Sequence, residues 1–239
     1  MLRPLVFILS LLFAVSLSAQ KNQYLTSAVD GFSKKKTSYL TLNDGTELQG
    51  NIKKIKRAKW LFEEIHLILE DGSKEKISAE DIRSMYLPQN GMDKLGKLMD
   101  KSTDLTALEV SNDLNQDMLK DGYAYFESTD CYYKKKKHKV LLLQLLNPAF
   151  AGQVKVFHDP GASEGGGLKV GGLKLTEDYD KSYYVKIGDN IAYKLKKKDY
   201  KDQAGEIYGA CSDFYGSVKG DLNWKKIGET LYNYSQSCF

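Results

Sequence analysis

Three short turn signals, each set between segments of alternating polarity, constrain the fold of this chain more than any other feature. They are Asn43-Asp44-Gly45, Glu70-Asp71-Gly72 and Gly188-Asp189-Asn190. Alternation of apolar and polar residues is typical of strands with one buried face, and glycine or asparagine between two such runs favours a β-hairpin. The sequence therefore predicts three antiparallel hairpins.

The length of each turn follows from the side-chain faces that it aligns. A three-residue loop places Leu40 opposite Leu48, whereas a two-residue loop places Leu40 opposite Gln49 and mixes the faces. Gly45 and Gly72 then take the left-handed conformation that such loops require. The same reasoning aligns four further pairs, which are Ile65 with Ile77, Ile187 with Ile191, Val185 with Tyr193, and Tyr183 with Leu195.

Strand and helix patterns together predict an α+β fold in several segments. We expect a flexible lead-in over 20–36, a small SH3-like β-barrel module over 37–90, a helical connector over 91–122, a second antiparallel β module over 123–195, and a C-terminal helical segment over 196–239.

The helical segments are predicted from caps and from apolar faces at helical spacing. Ser111 is expected to cap a helix that ends at Gly122, and Ser78 to cap a short turn. In the C-terminal segment, two sets of residues each share one helical face: Tyr200, Ala204, Ile207 and Tyr208, and Trp224, Ile227, Leu231 and Tyr234.

The N-terminus predicts export. Arg3 precedes an apolar run of thirteen residues, Leu5 to Leu17, and small residues follow it. This order is typical of a secretory signal peptide over residues 1–19, cut after Ala19 or, alternatively, after Ser18. The run is shorter than the roughly 20 residues of a membrane-spanning helix. We therefore expect a periplasmic or secreted protein with no transmembrane span after cleavage.

The chain has three cysteines, Cys131, Cys211 and Cys238. An odd number in an oxidising compartment leaves at least one of them without an intramolecular partner. We expect a disulfide between Cys211 and Cys238, because both lie in the C-terminal segment. Three unpaired thiols are the alternative, since spacing alone does not fix connectivity.

Three motifs together resemble uncharacterised exported proteins of Bacteroidota. They are "LNDGTELQGNI" with the later "ISAEDIRSMYL", the hairpin "SYYVKIGDNIAYKL", and the tail "LKKKDYKDQAGEIYGAC" with "IGETLYNYSQSC". The resemblance implies a non-enzymatic envelope or secreted protein and offers no catalytic residue to transfer.

One short motif could indicate catalysis. Ser163 occupies the nucleophile position of a G-x-S-x-G sequence, Gly161 to Gly165. A serine hydrolase needs a strand-to-helix elbow there, but the glycine-rich continuation disfavours a helix. The adjacent Glu63 and Glu64 are expected to point to opposite faces of a strand, which argues against joint acid–base chemistry. We expect no catalytic residue, with Ser163 as the alternative.

Neither a metal nor a cofactor is predicted. The three histidines lie far apart in the sequence, and none forms a short-spaced set with another histidine or a cysteine. The glycines after residue 164 lack the lysine and hydroxyl residue of a phosphate-binding loop.

A basic cluster before the run "VLLLQLL" has two interpretations, a solvated hairpin tip or a contact with an anionic surface. The chain has only three arginines, so nucleic-acid binding is not expected. Other lysines could join the contact if folding gathers them, at 34–36, 53, 54, 56 and 196–198. The cluster itself consists of Lys134, Lys135, Lys136, Lys137 and Lys139.

These features predict an exported, non-enzymatic binding or scaffold protein of the bacterial envelope. Its expected partners are envelope proteins, glycans or anionic lipid headgroups. The alternative is a secreted or periplasmic hydrolase that uses Ser163.

Overall fold

The computed structural model describes residues 24–91, 114–133, 137–162, 169–170, 173–174 and 181–239. Seven strands in these residues form one antiparallel sheet: β1 (Thr37–Leu42), β2 (Glu47–Ala58), β3 (Leu61–Leu69), β4 (Lys74–Ser78), β5 (Ile82–Pro88), β6 (Tyr123–Tyr133) and β7 (Lys137–Gln144). Their spatial order is β4-β3-β2-β1-β5-β6-β7.

A smaller sheet follows in the order β12-β11-β8. Its strands are β8 (Val154–His158), β11 (Ser182–Ile187) and β12 (Tyr193–Lys196), and two short strands, β9 (Lys169–Val170) and β10 (Leu173–Lys174), pair with each other. The α-helices in the described residues are α1 (Gln116–Lys120), α2 (Tyr200–Tyr208), α3 (Ser212–Val218) and α4 (Ile227–Ser237). An α+β fold, as predicted, is therefore present.

The predicted hairpin registers are confirmed. Leu40 pairs with Leu48, and both Gly45 and Gly72 have the expected positive φ, at 89° and 81°. The third turn differs in one respect, because its left-handed residue is the first one, Gly188, with φ 55°. Three other predicted pairs are present, Ile65 with Ile77, Val185 with Tyr193, and Tyr183 with Leu195. The predicted pairing of Ile187 with Ile191 is not formed, because β12 begins at Tyr193.

The predicted small barrel is not found as a closed structure among the described strands. β4 and β7 lie at the two edges of the seven-stranded sheet. β5 pairs with β6 across Tyr86 and Tyr125, so the segments predicted as separate modules, 37–90 and 123–195, contribute to one sheet. Alternation identifies a strand but not its partner, and this pairing joins residues far apart in the chain.

In the described part of the predicted lead-in over 20–36, residues 24–36, the chain is hydrogen-bonded to the rest of the fold. The Thr26 amide donates to the carbonyl of Leu146 at 2.6 Å, and the Val29 amide donates to Gln144 Oε1 at 2.8 Å. Val29 is also buried in the sheet core. These contacts are not evident in the sequence, because main-chain amides can form hydrogen bonds whatever the side chains are and leave no apolar periodicity.

Three apolar clusters hold the layers together. The first lies between the three-stranded sheet and helices α2–α4 and contains both predicted helical faces. The second lies on one face of the seven-stranded sheet, which bends so that β7 contacts β3 and the turn Ala79–Asp81. The third lies between the sheets, where Phe157 and Tyr184 pack against Leu141 and Leu143.

The small sheet contributes side chains to two apolar clusters, one on each face of β8 and β11. Val156 and Tyr183 belong to the cluster on the helical side, whereas Phe157 and Tyr184 belong to the cluster on the opposite side. Successive side chains of a strand point to opposite faces, so apolar runs without polar interruption indicate burial on both sides. The helices and the seven-stranded sheet thus sandwich the smaller sheet.

The observed helix caps agree only in part with the predicted caps. Ser78 accepts a hydrogen bond from the Glu80 amide, as predicted. Helix α1 ends before Gly122, as predicted, but its N-cap is Asn115, whose side chain accepts from the Met118 amide at 3.1 Å. Ser111 lies outside the described residues.

The predicted disulfide between Cys211 and Cys238 is present, with a Cα–Cα distance of 5.9 Å. It joins the residue before α3 to the end of α4, across a sequence separation of 27 residues. Cys131 is free and fully buried, and burial raises the pKa of its thiol to about 12. A thiol of this kind stays protonated at neutral pH and is chemically inert.

Gly50 allows the close approach of β2 and β3. A Cβ atom built on Gly50 would lie 2.5 Å from the Ile68 carbonyl oxygen, which is closer than non-bonded atoms approach. We expect Gly50→Ala to lower the free energy of unfolding by about 1–3 kcal/mol, because the β3 backbone must shift. Urea denaturation would measure the change.

Gly216 provides the matched control for that substitution. It lies in α3, and a Cβ atom there would meet nothing within 4 Å. Gly216→Ala should therefore stabilise the protein by up to about 1 kcal/mol through helix propensity. A neutral or stabilising effect of Gly50→Ala would contradict the close approach.

Candidate functional site

The structure describes only part of the sequence-predicted site residues. Ser163 and the lysines at positions 134, 135 and 136 lie outside the described residues. Lys137 and Lys139 are exposed at the start of β7, and Lys137 pairs with Tyr133 at the end of β6. The predicted hairpin between these strands is therefore present, with Lys137 and Lys139 at the start of its second strand.

A buried polar cluster lies at the end of the small sheet. Asp159 is only 2% exposed, and its Oδ2 accepts from the Ser182 hydroxyl at 2.6 Å and lies 2.7 Å from Lys194 Nζ. Its Oδ1 accepts from the Gly161 amide at 3.0 Å. Ser182 is itself buried, so its hydroxyl is not accessible to a substrate. This cluster ties the chain before residue 162 to the start of β11, and its role is structural.

No described group of three or more histidine, cysteine, aspartate or glutamate side chains is arranged to hold a metal ion. Among the described helices, none has the length and apolar character needed to cross a membrane. The remaining chemical feature of note is on the surface, at the turn between β2 and β3.

That turn has a backbone conformation that its residues rarely adopt. Ala58 pairs with Leu61, so the turn contains only Lys59 and Trp60, and their φ angles are 48° and 75°. Two consecutive left-handed residues correspond to the turn type that prefers Asn-Gly in hairpins. Each non-glycine residue held in this conformation costs about 1–2 kcal/mol. Backbone strain of this kind is concentrated at functional sites.

The Trp60 side chain is exposed where apolar side chains are normally buried. Its exposed fraction is 71%, the highest among the exposed large hydrophobic residues of the described chain. An indole has a large apolar surface and one hydrogen-bond donor, a combination that favours protein and membrane interfaces. Strain and exposure therefore coincide at one residue.

The strands beside this turn carry a surplus of positive charge. Between residues 53 and 64 the chain has five cationic side chains and two carboxylates. Two of these cations have carboxylate partners, because Lys56 Nζ lies 2.7 Å from Glu64 and Arg57 lies 4.0 Å from Asp30. Three exposed cations remain that form no ion pair with another described residue, namely Lys53, Lys54 and Lys59.

An open cleft adjoins the hairpin. Its volume is about 330 Å³, and the Arg57 guanidinium at its rim lies 5.0 Å from the Phe62 ring centroid and 5.8 Å from that of Phe32. Such cation–π contacts hold the guanidinium in place. The lining residues are Asp30, Phe32, Lys34, Ile52, Ile55 and Arg57.

The end of this hairpin lies beside the hairpin formed by β6 and β7. Leu61, next to Trp60, packs against the cluster that contains Cys131 of β6 and Leu141 of β7, and β3 contacts β7. Lys137 and Lys139, at the start of β7, therefore belong to the hairpin that neighbours the β2–β3 hairpin. We define the tip surface as Lys53, Lys54, Lys59, Trp60, Lys137 and Lys139.

Sequence reasoning identified four lysines of the tip surface, Lys53, Lys54, Lys137 and Lys139, but missed Lys59 and Trp60. The turn contains no glycine, asparagine or proline, which are the residues that usually indicate a turn in a sequence. The available signal was the pair Ile55 and Ile65, which face each other on the buried side. Their alignment requires a turn near the midpoint of the intervening residues.

Comparison of the chain with protein-family models, with curated proteins and with solved structures finds no match in any of the three. The resemblance to exported proteins of Bacteroidota therefore remains a prediction.

A titratable contact on the outer side of the hairpin generates a pH prediction. Glu64 accepts hydrogen bonds from Lys56 and from His66, and these two contacts lower the pKa of its carboxyl from 4.5 to about 2. A carboxyl group whose pKa is lowered by folding adds stability above its unfolded pKa and loses that contribution as the pH falls through its folded pKa.

We therefore expect wild type to be more stable than Glu64→Gln above pH 4.5, and the difference to shrink as the pH falls to about 2. Urea denaturation at a series of pH values and low ionic strength would measure this, since salt screens exposed charges. Lys56→Gln removes the larger cause of the shift and should weaken the pH dependence. A stability difference that is constant with pH would contradict the assignment.

Proposed function

We propose that the protein is an exported, non-enzymatic binding or scaffold protein of the bacterial envelope, and that it contacts its partner through the tip surface. The observation that carries this proposal is Trp60, which is 71% exposed on a backbone that two consecutive non-glycine residues hold left-handed. A sequence selected for stability alone would favour Asn-Gly at these positions.

The rest of the fold supports presentation of this hairpin rather than catalysis. Strands β2 and β3 pair along most of their length, and the buried residues Ile52, Ile65 and Leu67 fix their inner face to the core. A rigid scaffold that presents a loop is a common arrangement in binding proteins. The SH3-like likeness expected for the first five strands stays part of this proposal.

Export is supported by the N-terminal sequence and by the disulfide. Disulfides persist in oxidising compartments and are rare in the cytosol. The bond between Cys211 and Cys238 is compatible with an extracellular location. The signal peptide at residues 1–19 lies outside the described residues.

The hydrolase alternative gains no support from the described residues. Ser163 is not among them, and Ser182, whose hydroxyl donates to Asp159, is buried.

If the binding proposal is correct, one double substitution in the turn should raise the stability of the protein and abolish its binding. Replacing Lys59 by Asn and Trp60 by Gly should raise the free energy of unfolding by about 1–2 kcal/mol, because the new residues suit the turn. The same variant should lose capture of envelope components, because the exposed indole is gone. Thermal denaturation and affinity capture from solubilised envelopes would measure the two effects.

A matched control is Phe239→Ala, which removes another exposed aromatic side chain, 59% exposed, at the C-terminus. Capture by this variant should equal that of wild type. If the turn variant captures the same components as wild type, Trp60 is not the contact and the proposal fails.

A further inference from the structure

The tip surface combines one exposed indole with ammonium groups. Trp60 lies at the end of the β2–β3 hairpin, and Lys53, Lys54 and Lys59 are exposed on the same hairpin. Tryptophan concentrates at the headgroup level of membranes, where its ring is partly buried and its N–H finds a partner. Lysines near an anionic leaflet are attracted to it through the negative surface potential.

The local charges favour a strongly anionic partner. Lys137 and Lys139 extend the positive surface on the neighbouring hairpin, and neither forms an ion pair with another described residue. The opposing charge near the turn is the exposed Glu63, because Glu64 is engaged by Lys56 and Asp30 lies beside Arg57. Within the segment 53–64, the three lysines that form no ion pair with a described residue, Lys53, Lys54 and Lys59, thus outnumber the one such carboxylate, Glu63.

We propose that the tip surface docks on the anionic lipid headgroups of a membrane leaflet, with the Trp60 indole at the headgroup level. This inference rests on the proposed function, because it names the partner of the same surface. A neutral glycan is disfavoured, since it offers no negative charge to the surplus of lysines on this surface.

The experiment uses the whole chain with lipid vesicles. Vesicles of phosphatidylcholine mixed with phosphatidylglycerol are compared with vesicles of phosphatidylcholine alone, by co-sedimentation and by tryptophan fluorescence. Residues 1–23 are identical in all variants, so differences between variants report on the tip surface. Trp224 is 5% exposed, and its constant emission can be subtracted with a Trp60→Phe variant.

We expect binding to the anionic vesicles, a blue shift of the Trp60 emission, and weaker binding as the salt concentration rises. Lys59→Gln should lower the partition coefficient about fivefold, and the triple replacement of Lys53, Lys54 and Lys59 by Gln about 100-fold. Trp60→Ala should lower it about tenfold or more, because its apolar burial is lost.

The matched control replaces three exposed lysines of the helical layer, Lys201, Lys219 and Lys225, by Gln. It makes the same change in net charge and should leave the partition coefficient within about twofold of wild type, because these lysines lie away from the tip surface.

Three outcomes would overturn the inference. Equal binding by wild type and by the Trp60→Ala and lysine variants would place the membrane contact elsewhere. Binding of an anionic polysaccharide without vesicle binding or a blue shift would assign the surface to a glycan. Absence of vesicle binding, while capture of envelope proteins still depends on Trp60, would reject the membrane and leave the proposed function standing.

Discussion

The β6–β7 hairpin is the element on which the rest of the structure depends. β6 pairs with β5 on one side and with β7 on the other, and at its far end the Tyr132 amide donates to the carbonyl of Ala192 at 2.8 Å. Immediately after β7, the Leu146 amide donates to the carbonyl of Val156 at 2.8 Å. The hairpin therefore belongs to the large sheet and is hydrogen-bonded to the small one.

This connection also places the candidate site. The inner face of the β2–β3 hairpin is held by the core of the large sheet, while Leu61 at its end packs against the cluster between the sheets. Apolar packing on both sides restricts how the turn can relax. The left-handed backbone at Lys59 and Trp60 persists because the surrounding contacts over-determine it, and the indole stays directed into solvent.

The hairpins and helical faces were predictable from the sequence, but the way in which these elements pack together was not. The alignment of Leu40 with Leu48 and the helical faces were predictable because they depend on neighbouring residues and a fixed period. The pairing of β5 with β6 and the hydrogen bond between Ser182 and Asp159 depend on contacts between distant segments, which periodicity does not encode. Of the candidate site, Lys53, Lys54, Lys137 and Lys139 were evident in basic runs, whereas Lys59 and Trp60 became notable only through the backbone conformation and exposure of their turn.

The central structural claim is that one cooperative unit presents the tip surface, with both sheets joined through β6 and β7. Native-state hydrogen exchange tests it most directly, because it reports the opening free energy of individual amides. The slowest amides of β5, β6 and β11 should open with the same free energy, equal to that of global unfolding. A lower opening free energy for β8 and β11 than for β5 would show that the sheets unfold separately and would contradict the account.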